Sequence, residues 1–152
     1  MIADLLSAQL FREVPYQDVD MVSRFSQRVV MDDGEFLIRE DERDFDLFIL
    51  LRGSVEIVSN ERVAISEECV LSRNHKELLG EIGWLTQRRR TAAVRCRGTV
   101  EAIRIDGVAL SQYLADNPMA GFTIMHNVAF LLAQRLGTTD GLLKQILWNM
   151  VL

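Results

Sequence analysis

The hydropathy period changes twice along this chain, and that change limits the folds open to it. Residues 2–13 and 16–26 have helical spacing, with Val14-Pro15 as the break. Leu5, Leu6, Leu10 and Phe11 form one apolar stripe, and Val19, Val22 and Phe25 the next. Asp18 suits the start of the second helix, where the exposed amides favour negative charge. From Arg28 the helical period gives way to short β-rich runs at 36–38, 47–51 and 55–58. Asp33-Gly34 and Arg52-Gly53-Ser54 cut them as turns. Residues 63–65 and 70–71 are weaker strand candidates. Residues 91–97 alternate, with Ala92, Val94 and Cys96 on one face, and 100–105 form a further strand after an Arg97-Gly98 turn. Residues 107–114 return to helical spacing, stopped near Asn117-Pro118. A long apolar helix follows over about 119–137, with Phe122, Met125, Ala129, Leu132 and Leu136 at three- and four-residue intervals. Gly137 to Gly141 predicts an interruption, and Leu142, Leu143, Ile146, Leu147 and Met150 make a last stripe. Many short strands flanked by helices imply a mainly β domain, a compact antiparallel barrel or roll with helical additions.

Residues 80–95, GEIGWLTQRRRTAAVR, carry the chemistry. A Gly-Glu pair opens one short helical turn, and Arg90 follows Glu81 by nine positions. The segment supplies a carboxylate, a run of backbone amides and a guanidinium. A phosphodiester needs N–H donors and fixed positive charge, which helix-start amides and an Arg fork provide. Gly80 and Gly83 let backbone come close without a Cβ in the way. A carboxylate beside a phosphate would repel it, so Glu81 needs a donor such as a sugar hydroxyl. A hydrogen bond to a charged group nets about 1.5–3 kcal/mol. Either residue alone would read as half of a surface ion pair; both together, between a glycine and an Ala-rich strand, favour a ligand site.

This segment resembles the phosphate-binding cassette of the cyclic nucleotide-binding domain family, matching it at Gly80, Glu81, Ile82, Gly83, Leu85, Arg90, Thr91 and Ala92. The resemblance runs from about Phe11 to about Asp140. It implies an antiparallel β-roll, a jelly-roll-like double-stranded barrel, with N-terminal helices and a C-terminal helix. It implies one domain over 1–152: helices over 1–27, the roll over 28–106 with its cassette at 80–94, and C-terminal helices over 107–152. It assigns the ribose 2′-hydroxyl to Glu81 and the cyclic phosphate to Arg90. It also places Thr139 and Asp140 where some relatives reach the purine, although an ordinary interruption of the helix would use the same residues. Thr91 permits cyclic GMP without requiring it. The chain departs from the family at Asp41, where a turn glycine is usual, at 74–77 before the cassette, and at Arg89, where proline often stands.

Composition narrows the remaining classes. A formal net charge of −5 argues against a chain built to coat nucleic acid, so the Arg88-Arg89-Arg90 run reads as a solvated face with one ligand arginine. Cys69 and Cys96 with His75 and His126 fall short of a zinc or iron–sulfur ligand set, so neither metal nor cofactor is expected. His126, on an apolar helix stripe, reads as a core or interface residue. No paired-carboxylate or nucleophile-and-base motif stands out, so no enzyme is expected. No signal peptide and no run long enough to span a membrane appears, which implies a cytoplasmic protein. The expected function is a regulatory module that binds cyclic AMP or cyclic GMP and signals through its C-terminal helix. A homodimer or a partner protein would meet those helices, and no DNA is expected to bind this chain. The competing reading is a degenerate domain of the same fold that serves interaction without nucleotide.

Overall fold

The computed structural model describes residues 1–40, 42–58, 69–71, 77–90 and 92–151; for 69–71, 139, 142, 145, 146 and 149–151 it describes the backbone alone. Helix α1 (Ile2–Ser7), a 3₁₀ turn (Gln9–Phe11) and α2 (Tyr16–Ser23) open the chain. The roll follows as β1 (Ser26–Met31), β2 (Phe36–Ile38), β3 (Leu47–Val58), β4 (Cys69–Leu71) and β5 (Leu78–Leu79). Helix α3 (Glu81–Thr86) precedes β6 (Ala93–Ile105), and α4 (Gly107–Asp116) and α5 (Pro118–Val151) close the chain. All strand pairs are antiparallel: β6 lies between β1 and β3, β4 extends the sheet beyond β3, β2 also pairs β6, and β5 also pairs β3. This is the roll with flanking helices that the sequence implied. The weak strand candidate at 63–65 lies outside the described residues.

Two expected turns are bends inside continuous strands. Strand β3 runs through Gly53 and β6 through Gly98. The β3–β6 register shifts between Leu50 and Ser54, as at a β-bulge. Gly53 has φ +95°, and a Cβ there would sit 2.5 Å from the Thr99 carbonyl. Glycine therefore lets the two long strands bend against each other instead of ending them.

The bend lets each long strand serve two cores. Leu47, Ile49, Ile103 and Ile105 face a cluster with Leu5, Phe11, Val19 and Val22 of the N-terminal segment and Leu110, Ile124 and Val128 of α4 and α5. Their neighbours Phe48, Leu50, Val100 and Ala102 face the roll interior with Ile38, Val55, Leu79 and Val94. Burial on both faces explains why 47–51 lacks alternation. Strand β5 divides the same way, with Leu78 toward the helices and Leu79 toward the roll.

Helix α5 is continuous over 34 residues, about 51 Å at 1.5 Å per residue. The expected interruption at 137–141 does not occur. Ile124 and Val128 anchor its first half, and Asn127 Nδ2 donates to the Leu10 and Arg12 carbonyls at 2.8 and 2.9 Å. His126 is exposed and so is not a core residue. Among the described residues, no helix is long and apolar enough to cross a membrane.

Candidate functional site

The Gly-Glu turn is built around Arg90. Gly80 takes φ +87° at the start of α3. A Cβ on Gly80 would lie 2.7 Å from the Asp46 carbonyl, and one on Gly83 would lie 2.6 Å from Arg90 Nη1. The two glycines therefore clear a cradle for the guanidinium itself, a role that sequence reasoning had given to ligand approach. Arg90 Nη1 donates to the Gly80 carbonyl at 2.8 Å. Its Nη2 donates to Asp44 Oδ1 at 2.9 Å and to the Asp46 carbonyl at 2.7 Å. The side chain is 3% exposed. Burial alone would raise the Asp44 pKa, but the hydrogen bond and charge of Arg90 outweigh it, and the carboxyl stays below its usual range.

Glu81 is also buried and pairs elsewhere. Its Oε1 accepts from Arg135 Nη1 of α5, and Arg135 Nη2 donates to the Leu78 carbonyl at 2.6 Å. Glu81 and Arg90 are thus not partners of each other. They stand beside a cavity of about 710 Å³, lined by Gly80, Glu81, Ile82, Gly83, Arg90 and Ala92 of the cassette. Apolar walls come from Ile38, Ile57, Leu79 and Val94, and Arg135 and Thr138 of α5 also line it. That volume is within the usual range for small-molecule sites. Six of the nine site residues expected from sequence therefore share one cavity. Thr91 lies outside the described residues. Thr139 is helical with its side chain undescribed, and Asp140 is exposed and absent from the lining, so the α5 face at the cavity belongs to Arg135 and Thr138.

Two polar atoms in this lining stand out. Glu77 Oε2 and Arg90 Nε are the buried side-chain polar atoms without a hydrogen-bond partner among the described residues, and both residues line the cavity. A buried donor and a buried acceptor without partners are each costly, so native proteins keep them where another polar group can meet them.

The sequence profile described as the cyclic nucleotide-binding domain matches residues 28–117. The chain belongs to the cyclic nucleotide-binding domain family. The potassium channel AKT1 of Oryza sativa subsp. indica is 31% identical over 114 residues, which is 74% of this chain and 12% of the channel. The chain thus spans about an eighth of that relative's length. Among solved structures, the Thermus thermophilus catabolite activator protein superposes with TM-score 0.71 at 22% identity, covering 91% of this chain and 63% of that one. The sensor domain of the transcriptional regulator DNR from Pseudomonas aeruginosa gives 0.69 at 20% identity, covering 89% and 90%. The regulatory domain of Toxoplasma gondii PKA, solved with cAMP, gives 0.67 at 14% identity, covering 90% and 48%.

Against that family background, sequence reasoning missed several residues that line the cavity or hold its lining in this cyclic nucleotide-binding domain. Arg135 lay inside the Ala133-Gln134-Arg135-Leu136 match without an assigned role, and Thr138 shares its helix face three residues on. Asp44 and Glu77 carried no local signal, because their partners or orphaned atoms become visible only when β3 and β5 are placed beside the cassette.

Proposed function

We propose that this module binds cyclic AMP or cyclic GMP in the cavity beside the cassette and reports occupancy through α5. The observation that supports it is the Arg90 Nε–H, buried and without a partner among the described residues, on a residue that lines the cavity. A phosphate oxygen satisfies it with a charge-assisted hydrogen bond, while Asp44 and the two carbonyls hold the rest of the guanidinium still. Glu81 accepts from the ribose 2′-hydroxyl. Its second task is to hold Arg135, so the ribose and α5 meet at one carboxylate. Any ligand that shifts the Glu81–Arg135 pair changes the register of α5 against the roll, which gives differential contact in two states.

The same helix is the proposed surface for a second copy. Leu136, Leu143, Leu147 and Trp148 are exposed on its distal half, and Leu136 and Leu143 are one heptad apart. The proposed setting is cytoplasmic, where cyclic nucleotides are made and read.

Thermal melting tests the reading. Saturating cyclic AMP or cyclic GMP at about one hundred times its Kd raises Tm by roughly 5–10 °C for a domain of this size, while 5′-AMP and 5′-GMP leave it within about 1 °C. An unmoved Tm with both cyclic nucleotides at millimolar concentration defeats the proposal and leaves the nucleotide-free interaction module standing.

A further inference from the structure

We infer that Glu77 reads the base of the bound nucleotide and that the cavity therefore selects guanine, which makes cyclic GMP its preferred ligand. The inference rests on the reading of the cavity as a cyclic nucleotide site. It concerns a residue outside the Gly-Glu and Arg anchors of the cassette.

Placement comes first. The Leu50 N–H donates to the Glu77 carbonyl at 2.9 Å, which carries the β5–β3 ladder one residue upstream of Leu78. Glu77 and Leu79 are two apart on that extended stretch and share its cavity face, while Leu78 faces the helices. Two strand residues advance about 6.6 Å, so Glu77 stands away from the Gly80-Glu81 turn that takes the sugar. Glu77 and Glu81 thus serve different parts of one ligand.

Chemistry selects the part. Glu77 Oε2 is buried and meets no donor among the described residues. A carboxylate oxygen in that state is costly, and native proteins keep such atoms for a ligand, an ion or water. A phosphate is repelled there by like charge. With the 2′-hydroxyl committed to Glu81, the donors that a cyclic purine nucleotide still offers are on its base. Guanine presents N1–H and the N2 amino group side by side, matching the two oxygens of one carboxylate. Adenine presents its N6 amino group next to N1, an acceptor, which sets a lone pair against the second carboxylate oxygen. Ile38, Ile57 and Val94 supply apolar walls for the ring between these polar ends. Arg88 and Arg89 also line the cavity, and neither has an ion pair with Glu77 among the described residues.

Calorimetric titration of the whole chain with cyclic GMP, cyclic AMP and cyclic IMP separates the outcomes. The wild type is expected to bind cyclic GMP at least about tenfold more tightly than cyclic AMP, with cyclic IMP, which keeps N1–H and lacks the amino group, in between. Glu77→Gln is expected to bring the cyclic GMP to cyclic AMP ratio within about threefold by weakening cyclic GMP, with an unchanged melting temperature showing that the fold is intact. A wild-type ratio near one overturns the assignment. So does a ratio that survives Glu77→Gln, or an equal loss for all three ligands, which leaves Glu77 no part in reading the base. If no cyclic nucleotide binds the wild type, the parent reading of the cavity fails too, and that result is distinct from a flat ratio.

Discussion

Arg90 and Arg135 line the same cavity, yet one is buried in the roll and the other stands partly exposed on α5. Arg90 is 3% exposed and is held by a carboxylate and two backbone carbonyls of the roll and cassette. Arg135 is 35% exposed and joins the cassette from a helix that extends well past the roll. A rigid anchor gives affinity, because little ordering remains to be done when the ligand arrives. A partly exposed arginine on a long helix can pass on a change at Glu81, because that buried carboxylate binds it directly. Under the proposed function, the contrast fits binding by the roll and reporting by α5.

Substitutions can break or sharpen that contrast. Arg90→Ala has the largest expected effect: cyclic nucleotide affinity falls about one hundredfold, and stability falls by about 2–3 kcal/mol as Asp44 and two carbonyls lose their partner. Calorimetry and denaturant melts measure the two losses. Arg135→Ala is expected to weaken binding about tenfold and to cost about 1–2 kcal/mol of stability, less than Arg90→Ala, since Arg135 is 35% exposed although its partner Glu81 is buried. If Arg135→Ala unfolds the domain as readily as Arg90→Ala does, the division between anchor and reporter is wrong.

Asp44→Asn probes the anchor by pH. The folded Asp44 pKa is held below 3.8, so its pairing contributes fully above the unfolded value and is lost as pH falls through the folded one. The wild type should therefore lose stability on acidification below about pH 4 more steeply than Asp44→Asn, as melting temperature against pH would show. The smallest expected effect lies outside the cavity. Tyr113 Oη donates to Asp18 at 2.6 Å, and desolvation together with that aspartate pushes its pKa up to about 12. This contribution is full below about pH 10 and fades as pH rises through 12. Tyr113→Phe should cost about 1 kcal/mol at neutral pH and leave nucleotide affinity unchanged.

Local pattern carried the sequence reading a long way, and it stopped where partners lie far apart in the chain. The helical ends, the short strands and the Gly-Glu to Arg spacing all depend on neighbours within a few residues. The same glycine signals misled at Gly53, Gly98, Gly137 and Gly141, because a glycine can end an element or let it continue. At Gly53 the Thr99 carbonyl on the facing strand decides for a bend. At 137–141 the helix tolerates two glycines at a cost of up to about 1 kcal/mol each, against the many turns already propagated through α5. Asp44 and Arg135 meet their cassette partners across 46 and 54 residues of sequence, distances over which no spacing rule operates. The cassette's own residues were readable; the groups that hold them, Asp44 on one side and Arg135 on the other, were not.

The central claim is that a cyclic phosphodiester docks on Arg90. Side-by-side calorimetric titration of wild type and Arg90→Ala with cyclic GMP and cyclic AMP tests it most directly. Saturable one-site binding to the wild type is expected with at least one of the two, with a loss of about one hundredfold in the variant. Equal affinity in the two proteins would contradict it.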